Sequence, residues 1–409
     1  MSEDAYVIVG ASLGGAKAAE ALRAEGFEGP VILIGAETEL PYERPPLSKD
    51  YLLGKSPREK IYVHPAAWYD EHDVELRRGV TVTGIDRAAH RLTLADGTEQ
   101  RYAKLLLTTG SAPRPLPVPG ADLDGVRYLR TAADSDRIKA ALVSAARVAV
   151  VGAGWIGLET AAAARTAGAH VTVVEAAELP LLRVLGPEVA QVFADLHRDH
   201  GVELRLRIGA AEVTGTAGSA TGVRLTDGTQ VDADLVIVGI GITPRTQLAD
   251  AAGLRVADGI VVGADLRTDD PDIYAAGDVA SAFHPRLGTH IRVEHWANAL
   301  HQPQAAARAM LGQQVSYDRV PYFFTDQYDL GMEYSGWVEP GGYEQVVFRG
   351  DVAGRQFIAF WLDAAGRVLA GMNVNIWDVN DAIQSLVRSG RPADSDALRD
   401  QAVDLATLA

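Results

Sequence analysis

Two stretches of this chain repeat one pattern: an apolar strand run, a tight glycine turn and an alanine-rich helix. The first is Tyr6-Val7-Ile8-Val9-Gly10-Ala11-Ser12-Leu13-Gly14-Gly15 and the second Val148-Ala149-Val150-Val151-Gly152-Ala153-Gly154-Trp155-Ile156-Gly157. Such a turn aims helix N–H groups, and the positive end of the helix dipole, at a pyrophosphate. A second apolar run closes each copy, at 31–34 and at 171–174. Each therefore reads as a βαβ unit of a parallel, doubly wound sheet. One glycine turn alone is weak evidence, but two with strands on both sides point to two bound dinucleotides. Two dinucleotides on one chain imply electrons passing from one to the other.

The composition narrows where those electrons can go. The chain has no cysteine among its 409 residues, which removes disulfides, thiolate metal sites and thiol catalysis together; no metal is expected. A net charge of −16, from 38 basic and 54 acidic residues, argues against nucleic acid or an anionic membrane as the main partner. The longest apolar runs, such as 235–242, fall far short of a membrane span. The acidic start Met1-Ser2-Glu3-Asp4 reads as no secretory signal, so a cytoplasmic location is expected.

The length calls for two or three domains. Material with an antiparallel look follows each βαβ unit: 80–82 and 91–94 with the turn Ala95-Asp96-Gly97, then 222–225 with the turn Thr226-Asp227-Gly228. Asp-Gly between strands is a strong hairpin signal. Residues 113–120 hold four prolines and read as a linker, and 239–244 as a second crossing. From about 315 the chain turns rich in aromatics and Asn, then ends in a helical stretch near 378–388. The expected fold is α/β: two Rossmann-like doubly wound parallel-sheet domains plus a C-terminal α+β domain. The boundaries expected are 1–114 with 245–314, then 115–244, then 315–409.

Three local signals carry chemistry. The second turn has glycine at all three fingerprint positions, whereas the first has Ser12 at the middle one. Glu175 closes the second unit and can accept both ribose hydroxyls of an adenosine, repelling a 2′-phosphate; a solvated strand end would look the same. The first unit has Gly35-Ala36-Glu37 there, its carboxylate slightly late. Last, the run ending Ala275-Ala276-Gly277-Asp278 would place an Asp on a ribityl hydroxyl with adjacent N–H groups facing a flavin phosphate, or is a structural turn.

Taken together, Pro45-Pro46-Leu47-Ser48-Lys49, Thr109-Gly110-Ser111-Ala112-Pro113-Arg114, Gly152 to Glu159, Gly241-Ile242-Thr243-Pro244, Ala276-Gly277-Asp278, Glu294-His295-Trp296-Ala297-Asn298-Ala299 and Phe323-Phe324-Thr325-Asp326-Gln327 occur in this order. The chain closely resembles, over its whole length, the FAD-dependent NADH:ferredoxin reductases of bacterial oxygenase systems. The resemblance implies the glutathione-reductase fold, with an NAD domain inserted into an FAD domain. It implies that Gly10, Ser12, Gly14 and Gly15 hold the FAD pyrophosphate, with Ala36 near the adenosine. Arg44, Lys49, Val82, Arg130, Asp278 and Trp296 would also contact FAD. Gly154, Ile156 and Gly157 would hold NADH, with Glu175 and Arg183 at its ribose and Gly241 and Glu294 on the nicotinamide side. Lys49 and Glu159, the latter in the first turn of its helix, would pair beside the flavin's reactive edge; an ordinary interdomain salt bridge is the alternative. Phe324 departs from the pattern, standing where well-known relatives carry Trp.

The function implied is hydride transfer from NADH and single-electron delivery to a 2Fe–2S ferredoxin. That ferredoxin would serve a haem monooxygenase or a ring-hydroxylating dioxygenase. Disulfide and peroxide reductases share the fold but need a redox cysteine. A rubredoxin reductase differs only in the partner's iron centre. An interaction flavoprotein resembling apoptosis-inducing factor would carry a targeting segment and a long C-terminal insertion, and neither is evident here.

Overall fold

A parallel sheet buried on both faces demands short, wholly apolar strands, and the chain supplies them twice. The computed structural model describes residues 5–409; the acidic start read above, Met1 to Asp4, lies outside them. The chain falls into two units. One takes Met1–Pro45, Pro57–Ala112 and Ile242–Arg319; the other takes Pro46–Ser56, Pro113–Gly241 and Val320–Ala409.

In the first unit a parallel sheet runs Ile273–Ala275, Lys104–Leu107, Tyr6–Val9, Val31–Gly35, Val74–Arg78. Its central strand leads through the first glycine turn into the helix Leu13–Ala24, whose Ala16, Ala18, Ala19 and Leu22 are buried. The helix packs closely on the helix Trp296–Met310, since a Cβ added at Gly14 would lie 3.2 Å from Pro303 Cγ. The expected hairpins form a three-stranded antiparallel sheet, Val82–Asp86, Arg91–Leu94 and Glu99–Arg101.

The second unit repeats the plan: Val126–Tyr128, Leu235–Val238, Arg147–Val151, His170–Glu175, Glu203–Leu206, all parallel. The helix Trp155–Thr166 leaves its central strand, and a three-stranded sheet, Ala210–Thr216, Ser219–Leu225 and Gln230–Asp232, follows. The copies differ at one edge. Strand Val126–Tyr128 precedes its βαβ unit in the chain, whereas Ile273–Ala275 comes after.

The C-terminal region of this unit is a five-stranded antiparallel sheet, Tyr322–Gln327, Leu330–Gly336, Val368–Val374, Gln356–Leu362, Gln345–Asp351. Its Phe323, Met332, Trp361 and Met372 share one core with Leu158, Phe193 and Leu196 of the dinucleotide fold. The Trp361 indole N–H donates to the Leu185 carbonyl at 3.0 Å. That common core explains why both fall in one unit; a division near residue 315 stays a proposal. The expected final helix forms at Asn380–Ser389 but does not end the chain. A short helix, Ser395–Arg399, follows it. Arg349 ties down the tail by donating to the carbonyls of Asp400 at 2.6 Å and Val403 at 2.7 Å. Among the described residues, no helix is long and apolar enough to cross a membrane.

Candidate active site

The first glycine turn is fixed by crowding. Gly10 has φ +123°, and a Cβ there would lie 2.2 Å from the Thr108 carbonyl oxygen; one at Gly15 would lie 2.1 Å from the Gly10 oxygen. No side chain is admitted at either place. Ser12 takes the N-cap of the helix Leu13–Ala24 in extended conformation but does not cap it. Its hydroxyl donates to the Tyr42 carbonyl at 3.3 Å. The first-turn N–H groups thus lack a side-chain cap, and Ser12 fits a phosphate cradle as a small residue whose oxygen is already engaged.

The second turn separates fold from function more sharply. A Cβ at Gly152 would meet the Gly239 oxygen at 2.5 Å, and one at Gly157 the Gly152 oxygen at 2.0 Å. A Cβ at Gly154 would meet nothing nearer than the Gly239 oxygen at 3.9 Å. Gly154 also has an ordinary extended backbone, φ −78°. Nothing among the described residues requires a glycine there, which leaves the turn open to a close approach from outside, such as a pyrophosphate would make. Ile156, 42 % exposed, flanks it. Gly157→Ala should therefore fail to fold, whereas Gly154→Ala should fold normally and raise the KM for the nicotinamide cofactor tenfold or more. Thermal melts and steady-state kinetics separate the two, and a Gly154→Ala protein with unchanged KM would remove this turn from cofactor binding.

Glu175 is the last residue of its strand. Its carboxylate accepts the Ala153 N–H, inside the glycine turn, at 2.7 Å and the Ala177 N–H at 2.8 Å. It is thus a pinned carboxylate at the turn, more than a solvated strand end. Arg183 is exposed on the helix Leu182–Asp199. Gly241, φ +102°, is exposed and accepts the Arg114 N–H at 2.9 Å. Gly239, read above only as the start of a crossing, is the residue whose carbonyl crowds Gly152.

In the first unit Ala36 is exposed directly after its strand. Glu37 is engaged by the Tyr42 hydroxyl and by Arg44 Nη2 at 3.1 Å, so the late carboxylate anchors Arg44. Trp296 begins its helix with its indole N–H on Glu43 at 3.1 Å. Glu294 pairs with Arg292, which also meets Asp258 at 3.0 Å.

The structure locates five more of the expected residues and corrects two of the readings made of them. The Val82 side chain is 6 % exposed and belongs to the core of the first unit. Asp278 does follow its strand in a short turn, but the adjacent Gly277 N–H is taken by Gln302 Oε1 at 2.7 Å. Arg130 and Lys49 lie in the second unit, apart in sequence from the glycine turn of the first. Glu159 is the fifth residue of the helix Trp155–Thr166 and so sits in its second turn.

The Lys49–Glu159 pair does form. The segment carrying Lys49 is held by Ser135 Oγ donating to the Leu47 carbonyl at 2.8 Å and by the Tyr51 hydroxyl on Asp136 at 2.6 Å. Lys49 Nζ then lies 2.8 Å from Glu159 Oε2, with Glu159 only 5 % exposed. Ser48 Oγ donates to the same oxygen at 2.5 Å, and Thr325 Oγ1 to Oε1 at 2.5 Å. A carboxylate this buried is tolerated only when so matched. Sequence reasoning missed Ser48 and Thr325 as its partners, although both stand in motifs it quoted. Phe324 lies with its ring 5.7 Å from Lys49 Nζ. Phe323 faces the core, stacked on Tyr334 at 4.9 Å.

Behind Thr325 lies buried His197, whose pKa burial pushes down to about 4; His295 is pushed to about 4 for the same reason. A histidine kept neutral in the fold contributes stability above its unfolded pKa and loses it as pH falls toward the folded one. Between pH 6.5 and 4 the unfolded chain binds a proton the folded chain refuses, so His197 should cost roughly 3 kcal/mol over that window. Denaturant melts across it should show stability falling with pH, and less steeply in His197→Asn.

Residues 4–303 match the family model described as pyridine nucleotide-disulphide oxidoreductase. The chain belongs to that family. Residues 322–409 match a second model, reductase C-terminal. Over 412 residues, all of both chains, it is 43 % identical to the ferredoxin–NAD(+) reductase component of an anthranilate 1,2-dioxygenase system from Burkholderia cepacia. It is 38 % identical to putidaredoxin reductase from Pseudomonas putida over 99 % of this chain and 96 % of that one. Its fold matches the crystal structure of a covalent putidaredoxin reductase–putidaredoxin complex with TM-score 0.95 and 37 % identity, covering 100 % and 98 % of the two chains. Within the pyridine nucleotide-disulphide oxidoreductases, then, its relatives are ferredoxin reductases of oxygenase systems. It is an oxidoreductase, and membership implies a flavin and a nicotinamide cofactor. Despite the family's name, this member has no cysteine with which to do disulphide chemistry.

Proposed function

We propose that this protein binds FAD and NADH, takes hydride from NADH and delivers electrons singly to a 2Fe–2S ferredoxin that feeds a haem monooxygenase or a ring-hydroxylating dioxygenase. One observation carries the reading: each unit holds its own glycine turn with an uncapped helix start, in a chain with no cysteine. Bound flavin supplies the conversion between two-electron and one-electron transfer. The chain's own part is to hold the pyrophosphates at Gly10, Ser12, Gly14 and Gly15 and at Gly154 and Gly157. Glu175 takes the adenosine ribose of NADH. Arg44, Asp278 and Trp296 serve the FAD side. Lys49, paired with Glu159, favours negative charge as it develops on the reduced cofactor. A cytoplasmic location belongs to the same reading.

The test is reduction of cytochrome c by NADH with the purified yellow protein. The rate should depend on added 2Fe–2S ferredoxin and fall as salt rises, because steering depends on unscreened charge. Turnover with NADH but with no ferredoxin of any type would overturn the partner assignment.

Phe324→Trp probes the route to that partner. Its ring lies on the strand face opposite Phe323, beside Lys49, and a larger aromatic there should alter the ferredoxin reduction rate severalfold while leaving NADH-dependent flavin bleaching nearly constant. Stopped-flow measurement of both steps decides it. The reverse pattern would move the electron exit elsewhere.

A further inference from the structure

The buried carboxylate of Glu159 is the end of a longer hydrogen-bonded run. Thr325 Oγ1 lies 2.5 Å from Glu159 Oε1, and Gln327 Nε2 3.3 Å from Thr325 Oγ1. Gln327 Oε1 lies 2.9 Å from His197 Nε2, and the Tyr328 hydroxyl 3.3 Å from His197 Nδ1. Thr325, Gln327 and His197 are at most 1 % exposed.

The proton positions along this run follow one from another. An ionised carboxylate only accepts, so the single Thr325 hydroxyl proton goes to Glu159. The Thr325 oxygen then accepts from the Gln327 amide NH₂, which turns the Gln327 carbonyl toward His197. That carbonyl needs a donor, so Nε2 carries the imidazole proton. A neutral ring has only one, so Nδ1 accepts from Tyr328. Burial keeps His197 neutral near pH 7, in agreement with this tautomer. Every donor points the same way, toward Glu159, and such aligned bonds polarise one another.

We propose that Thr325, Gln327, His197 and Tyr328 are positioning residues that hold the Glu159 carboxylate oriented for Lys49, through a one-way run of hydrogen-bond donors ending on Oε1. The proposal rests on the function above, because it deepens the role given there to Lys49 and Glu159. The topology suits it. Thr325 and Gln327 are two residues apart and share the inner face of strand Tyr322–Gln327. They span from the helix Trp155–Thr166, which carries Glu159, to the helix Leu182–Asp199, which carries His197. Other charged or titratable groups that bear on the run include Lys49 and Asp326 at the Glu159 end, with Asp50 and Glu333 acting on Asp326. At the far end they are Arg165 and His200, the latter stacked on Tyr328 at 3.8 Å and 3.6 Å from Asp329.

The test is an infrared titration of Glu159 in the flavin-loaded protein with ¹³C-labelled glutamate, assigned by difference against Glu159→Gln. Thr325→Val keeps the side-chain shape and removes the donor. It should raise the Glu159 titration midpoint by about one pH unit, a tenfold change in proton affinity. The acid limb of NADH-dependent flavin reduction should move with it. Gln327→Leu should shift both in the same direction by less, and Thr325→Ser should restore them. Should Thr325→Val not fold, Gln327→Leu gives the same reading, with Thr325→Ser as the unshifted reference. A lowered melting temperature with midpoint and acid limb unmoved would make the run purely structural and overturn the proposal. The infrared readout needs no electron acceptor. If the midpoint shifts but no ferredoxin is reduced, the functional reading falls and the positioning role stands; if ferredoxin is reduced and the midpoint stays, the reverse holds.

Discussion

With NADPH in place of NADH, kcat/KM should fall about a hundredfold. Glu175 is held by two backbone N–H groups, 2.7 and 2.8 Å away, one of them inside the glycine turn. It cannot swing aside without leaving both unsatisfied. A 2′-phosphate brought to about 4 Å would be repelled by on the order of 4 kcal/mol per charge pair at an effective dielectric near 20. Solvent at the ribose and exposed Arg183 reduce this to about 2.7 kcal/mol, which is the hundredfold. Glu175→Gln keeps an acceptor for the backbone while removing the charge, and should narrow the preference to about tenfold. The measurement is kcat/KM for both cofactors on both proteins. Equal efficiencies in the parent protein would remove Glu175 from the ribose site.

Breaking the Lys49–Glu159 pair from either side should have large and unequal effects. Lys49→Met leaves a carboxylate that is 5 % exposed with only hydroxyl partners from Ser48 and Thr325. An uncompensated buried charge of this kind costs about 3–5 kcal/mol, so denaturant melts should show a deeply destabilised protein. Glu159→Gln is milder, because the amide oxygen still accepts from Lys49 and Ser48 and the Thr325 hydroxyl can turn to accept from its NH₂. It should fold and keep its flavin. With Lys49 no longer neutralised by a carboxylate, flavin bleaching by NADH in rapid mixing should change by tenfold or more. An unchanged rate and an unchanged flavin potential would leave the pair a structural role only.

The glycine turns were legible in the sequence because their constraint is local. Gly10 and Gly152 must take φ +123° and +99°, and Gly15 and Gly157 must clear a carbonyl five residues back. The positive φ and the five-residue approach are set inside each turn and show in the composition there, whereas the Thr108 and Gly239 carbonyls that also crowd Gly10 and Gly152 come from far along the chain. The strand pattern was equally plain, as was the alternation that turns Phe323 inward and Phe324 outward. The Gly277 N–H was misassigned because its partner, Gln302, lies on a helix 25 residues away.

By itself, then, the sequence determined two glycine turns between strand and helix and the absence of any thiol, since both are properties of short segments or of composition. Only the tertiary structure decided what surrounds Glu159. Its partners Ser48 and Thr325 stand 111 and 166 residues from it in the chain, and His197 and Gln327 stand 130 apart. No local pattern marks such a group, because a Ser, a Thr, a Gln and a His are unremarkable until packing removes water. Once Glu159 is nearly dry, every donor within reach must be committed to it. That commitment is a consequence of burial, and burial exists only in the assembled fold.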